Sequence, residues 1–81
     1  MRLPRDLSGE DLARALSAFG YSVTRQSGSH MRLTTEEHGE HHITIPRHES
    51  LRIGTVAAIL AEVADHFGLS REALVERLFA R

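Results

Sequence analysis

The sequence predicts an α+β fold in the order α-β-β-β-α, closed by a short C-terminal helix. Three observations predict it. Apolar stripes at helical spacing occupy residues 12 to 19 and 56 to 67, and three segments of period-two alternation lie between them at 21 to 26, 30 to 35 and 41 to 46. The spacing Leu-Ser-x-x-x-Leu, which marks a helix start, occurs at Leu7 and again at Leu69. The 81 residues form one domain, small enough to bury only about 60 to 65% of its unfolded surface, so the core is thin and no deep pocket is expected.

The first helix is announced by Ser8 as N-cap, Asp11 at the capping-box position, and Leu7 and Leu12 as a hydrophobic staple. Leu12, Ala15, Leu16 and Phe19 recur at i, i+3, i+4 and i+7, and Gly20 stands where a helix end takes positive φ. Ser27-Gly28-Ser29 and Glu37-His38-Gly39-Glu40 supply the turns of an antiparallel meander. Alternation assigns Tyr21, Val23, Met31, Leu33, Ile43 and Ile45 to the covered face of its three-stranded sheet, and Thr24, Gln26, His30, Arg32, Thr34, His42 and Thr44 to the open one. A second helix carries Val56, Ile59, Leu60, Val63 and Phe67 and stops at Gly68. Both helices cover the same apolar sheet face. Ser70 caps the last helix. Its Leu74, Val75, Leu78 and Phe79 exceed what about ten residues can bury alone, which points to a homodimer or protein-partner contact.

Composition narrows the chemistry. There is no cysteine, hence no disulfide framework and no thiolate nucleophile or ligand. The start lacks an apolar leader, and no apolar run approaches the roughly 20 residues of a membrane span, so the reading is a cytoplasmic soluble protein with no membrane partner. All ten cations are arginine, planar forks suited to phosphate, although genome composition bias explains the same fact. Net charge is −1, which argues against strong nonspecific nucleic-acid binding. Five of six histidines (30, 38, 41, 42 and 48) fall in one 19-residue stretch, so that region turns cationic as pH falls.

Cleavage of RNA needs no metal or other cofactor when a base removes the 2′-OH proton and a cation stabilises the phosphorane, because the substrate carries its own nucleophile. By strand parity His30 and Arg32 project from the same face, about 7 Å apart along the strand. Gly28 turns the chain just before them, and its missing side chain leaves room for an RNA backbone. His42, on the next strand, is a candidate general acid whose register depends on the turn. His38, His41, His42 and His48 lack the spacing of a closed ligand set, and no metal site is assigned.

Ser27-Gly28-Ser29-His30 followed by Met31-Arg32-Leu33-Thr34, then Ile45-Pro46-Arg47-His48 leading to Gly54-Thr55-Val56, resembles the HicA family of mRNA interferase toxins over roughly Ser8 to Phe79. The resemblance implies a single HicA-like domain over residues 1–81 and a double-stranded-RNA-binding-domain-like fold. It also implies an endoribonuclease with His30 as the catalytic histidine, and a HicB-type antitoxin as partner. The slightly acidic balance departs from the usually basic members. Gly28, Ser29, Arg32 and His42 are then the residues placed against RNA, and His48 matches the Pro-x-His position, where it braces the helix beginning near Thr55. Two other functions fit the same residues: a noncatalytic RNA-binding module, and a protein-interaction domain that has lost its RNA role.

Overall fold

The computed structural model describes residues 3–79. The elements are α1 (Gly9–Leu16), β1 (Ser22–Ser27), β2 (His30–Thr35), β3 (His41–Pro46), α2 (Ile53–Phe67) and α3 (Arg71–Phe79), with one 3₁₀ turn, Ser17–Phe19, after α1. The α+β order and the antiparallel sheet β1-β2-β3 match the expectation, and the strands lie within one residue of the alternating segments. Ser8 accepts the Asp11 N–H at 2.9 Å while the Asp11 carboxylate accepts the Ser8 N–H at 3.3 Å. This capping box satisfies two helix-start donors, and those bonds hold the Asp11 carboxyl below its ordinary value. Gly20, at φ +82°, ends the first helical segment, and Gly68, at φ +68°, ends α2.

The buried strand residues all belong to β2 and β3. Met31, Leu33, Ile43 and Ile45 share one buried core with Leu12 and Leu16 of α1 and Leu60 and Val63 of α2, whereas every residue of β1 is exposed. Val23, expected in the core, is 46% exposed. Val23 still pairs with the buried Leu33, so it is exposed because β1 is an edge strand; the alternation breaks only after it, at a β-bulge at Thr24. Gln26, expected on the open face, is by that bulge paired with the buried Met31. In α3, Leu74 and Val75 are fully absorbed by the chain's own core, so the expectation of a partner contact there is left with the partly buried Leu78 and Phe79. The helix α2 begins at Ile53, two residues before Thr55, with no side-chain cap.

A backbone seam joins the start of α1 to the loop after β3. The Gly9 N–H donates to the His48 carbonyl at 2.9 Å and the Leu51 N–H to the Leu7 carbonyl at 2.7 Å. Arg47 adds an ion pair to Glu10 at 3.1 Å. His48 therefore braces α1 through its main chain, where bracing of α2 was expected. Gly9 is buried, and a Cβ on it would stand 2.0 Å from the Pro46 carbonyl oxygen and 3.3 Å from the Arg47 Cα. Both obstacles are backbone.

This contact reverses the usual sign of a glycine-to-alanine change. In a helix that change ordinarily stabilises by up to about 1 kcal/mol. Gly9→Ala should instead destabilise by about 1 to 3 kcal/mol, as overpacking does, and lower the midpoint of thermal unfolding by several degrees. Gly54→Ala, also helical but with nothing within 4 Å of its Cβ, should leave the midpoint unchanged or raised. Equal midpoints for the two variants would show that the Gly9 approach is not a constraint.

Candidate functional site

The open face of the sheet is built by the pairing of β2 with its two neighbours. β1 and β2 meet through Gly28-Ser29, where Gly28 has φ +55° and a Cβ would touch nothing, so glycine is required by the turn and not by packing. The next residue, His30, opens β2 opposite Ser27 on one side and Pro46 on the other. The Arg47 N–H donates to the Ser29 carbonyl at 2.6 Å, which ties this hairpin to the seam beneath it. His30 and Arg32 are both exposed on the face away from the helices, as parity predicts. The Ser29 hydroxyl lies 3.4 Å from His30 Nδ1, and no described residue holds Nε2. Arg32 enters no ion pair among the described residues. An imidazole and a guanidinium thus face solvent side by side, about 7 Å apart along the strand.

His42 shares this face but not this spot. It pairs with Thr34, four residues along β2 from His30, which is about 13 Å at strand rise. Both of its ring nitrogens are engaged. Nε2 donates to the Glu40 carboxylate at 2.8 Å, and Nδ1 accepts from the Thr34 hydroxyl at 2.7 Å, which in turn lies 2.9 Å from the Thr24 hydroxyl. A hydrogen-bonded chain Thr24, Thr34, His42, Glu40 therefore crosses all three strands and ends at the bulge. His42 thus stands about 13 Å along the strand from His30, with both ring nitrogens already engaged.

The remaining histidines divide between other tasks, and no three ligand-type side chains converge among the described residues. His48 is exposed in its loop, and His38, at φ +57°, lies with its ring 5.1 Å from Phe67. His41, on the helix side, stacks on His66 of α2 with centroids 4.4 Å apart and planes 11° from parallel. The Tyr21 hydroxyl meets His41 Nδ1 at 2.7 Å, and burial pushes that phenol up to about 12, so it stays the donor. His66 Nε2 donates to the carbonyls of Glu37 and Gly39 at 2.9 and 3.0 Å and pins the β2–β3 turn to α2. Sequence reasoning missed His66, because only the fold brings it to the histidine stretch.

Charge is segregated. The three strands hold two arginines, three histidines and no acid, so of the net −1 the strands contribute +2 and the other residues −3. Sequence reasoning gave Arg25 no face; the structure puts it directly opposite Arg32.

With that geometry in place, the chain compares with known proteins as follows. The family described as HicA toxin of bacterial toxin–antitoxin matches residues 9–64, a span that holds α1, all three strands and most of α2. Neither curated proteins nor solved structures gave a match.

The matched span stops two residues short of His66, so the His41–His66 stack has its own consequence, which concerns stability. Burial first, and the neighbouring His66 second, hold the His41 imidazole below its ordinary 6.5; Glu62 and Asp65 pull the other way, and His42 adds to the lowering. Below about 6.5 the unfolded chain takes up a proton that the folded chain refuses, so stability is retained at higher pH and lost as pH falls through that window. Unfolding midpoints measured from about pH 7.5 to about 5.5 should decline for the native chain and decline less for His41→Gln. Identical slopes would remove His41 as the cause.

Proposed function

We propose that this chain, which belongs to the HicA toxin family of bacterial toxin–antitoxin systems, is a metal-independent endoribonuclease whose base is His30 and whose phosphate ligand is Arg32. Family membership carries the coarser statement, an RNase toxin with an antitoxin partner. The finer one is supported by a single observation: His30 and Arg32 stand exposed, two residues apart, on a sheet whose strands contain no acid.

In this mechanism the His30 imidazole takes the proton of a substrate 2′-OH, and the freed oxygen attacks the adjacent phosphorus. Arg32 binds the nonbridging oxygens, where negative charge builds in the transition state. The bond to the 5′-oxygen then breaks, and that oxygen is protonated by the His30 imidazolium or by solvent. A 2′,3′-cyclic phosphate remains. Gly28 and Ser29, at the hairpin tip, lie where the RNA backbone would pass. The partner is read as a HicB-type antitoxin, and the setting as the cytoplasm.

Turnover should survive EDTA and should stop on RNA whose 2′-OH at the cut site is replaced by hydrogen. His30→Ala should lower the rate by about 10² to 10⁴ with little change in unfolding midpoint, because an exposed strand side chain contributes little to stability. Full activity in His30→Ala, or equal cleavage of the deoxy substrate, would replace this mechanism by the noncatalytic binding reading.

Affinity for RNA should rise as pH falls from about 7.5 to about 5.5, with a steeper dependence on salt at the lower pH, because five of the six histidines lie in one stretch and histidine as a residue type gains charge in that range. Salt slopes that are the same at both values would place the histidines away from the RNA backbone.

A further inference from the structure

The β1 strand carries an arginine that strict alternation would have turned toward the helices. Val23 pairs with Leu33, but the next pair is Arg25 with Arg32, followed by Gln26 with Met31 and Ser27 with His30. Thr24 is the extra residue. Its hydroxyl, 3.3 Å from the Arg32 carbonyl and 2.9 Å from the Thr34 hydroxyl, holds it on the open face, so Thr24 and Arg25 together oppose Arg32. Without the bulge Thr24 would oppose Arg32, and Arg25 would sit opposite the buried Met31, on the helix side. The bulge is therefore what brings a second guanidinium to the site. The residues that pin it belong to the hydroxyl chain that His42 and Glu40 complete.

Two like charges directly opposite one another across a sheet lie about 5 Å apart at the Cβ atoms and repel. Nothing nearby relieves them: no strand contains an acid, and neither Arg25 nor Arg32 enters an ion pair among the described residues. Both are exposed. A pair of planar forks arranged this way matches a phosphodiester, whose two nonbridging oxygens each accept from one guanidinium. We infer that Arg25 is a substrate-binding residue, which with Arg32 grips one RNA phosphate between β1 and β2, beside His30.

The inference rests on the ribonuclease reading above, and a charge-conserving exchange tests it separately. Arg25→Gln is compared with the double variant Arg25→Gln/Gln26→Arg, which keeps net charge and moves the cation to the other face of the same strand. The probe is a fully 2′-O-methylated single-stranded RNA, bound but not cut, titrated at several salt concentrations. Arg25→Gln should weaken binding about tenfold and reduce the salt slope by about 0.7, the value of one lost phosphate contact on a single strand. The double variant should behave like Arg25→Gln, and Arg25→Lys should recover part of the affinity, having the charge without the fork. Unfolding midpoints should not fall in Arg25→Gln, since a repulsion is being removed. Wild-type affinity in the double variant would overturn the grip while leaving ribonuclease activity and its dependence on His30 intact. Failure of the unaltered chain to bind this RNA or cut its 2′-hydroxyl counterpart would instead overturn the ribonuclease reading and the grip with it.

Discussion

The approach of the α1 backbone to the Pro46 carbonyl is the constraint on which the rest of the structure depends. Because residue 9 has no side chain, the helix start lies against the end of β3, and the Gly9 and Leu51 amides close a seam there. That seating directs Leu12 and Leu16 onto the apolar face of β2 and β3. It also fixes the Pro46-Arg47 peptide whose N–H holds the Ser29 carbonyl. Packing on one side of the sheet thereby sets the hairpin from which His30 projects on the other. Few residues intervene between core and site, as expected of a domain with so thin a core.

The division of charge between layers reconciles a net −1 with a polyanionic substrate. Net charge governs encounter at long range, but beyond about 10 Å at 0.1 M salt exposed charges are largely screened, and what an approaching phosphate meets is the local face. That face contains cations only in its strands, while the acids sit on helices and loops, several of them occupied: Asp11 with Arg14, Glu10 with Arg47, Glu40 with His42. The open sheet is basic although the protein is not.

What the sequence made legible follows from how local each determinant is. The caps at Ser8 and Ser70, the stops at Gly20 and Gly68, and the alternation of β2 and β3 depend on near neighbours in the chain and on one helix layer, and all were readable. The face of His30 and Arg32 was readable for the same reason. Alternation failed in β1 after Val23, where Thr24 is an ordinary strand former and nothing in its identity marks an extra residue; Gln26 was misplaced by it, and Val23 is exposed by its place on the edge strand. For His42, parity gave the face and left the register to a turn in which His38 and Gly39 both take positive φ. The pairing of His41 with His66, and the closeness of Gly9 to Pro46, are long-range contacts with no local signature.

The bulge has a consequence for how copies of the chain meet. β1 is a free edge of six exposed residues, and a flat, uncharged edge of that length is a template on which a second chain can add its own strand. Here the ladder is broken after Val23, the local twist is increased, and a cation is set at the break. Two such edges brought together would offer mismatched hydrogen-bonding groups and oppose arginine to arginine. The same irregularity that orients Arg25 therefore guards the β1 edge against strand addition by a second copy.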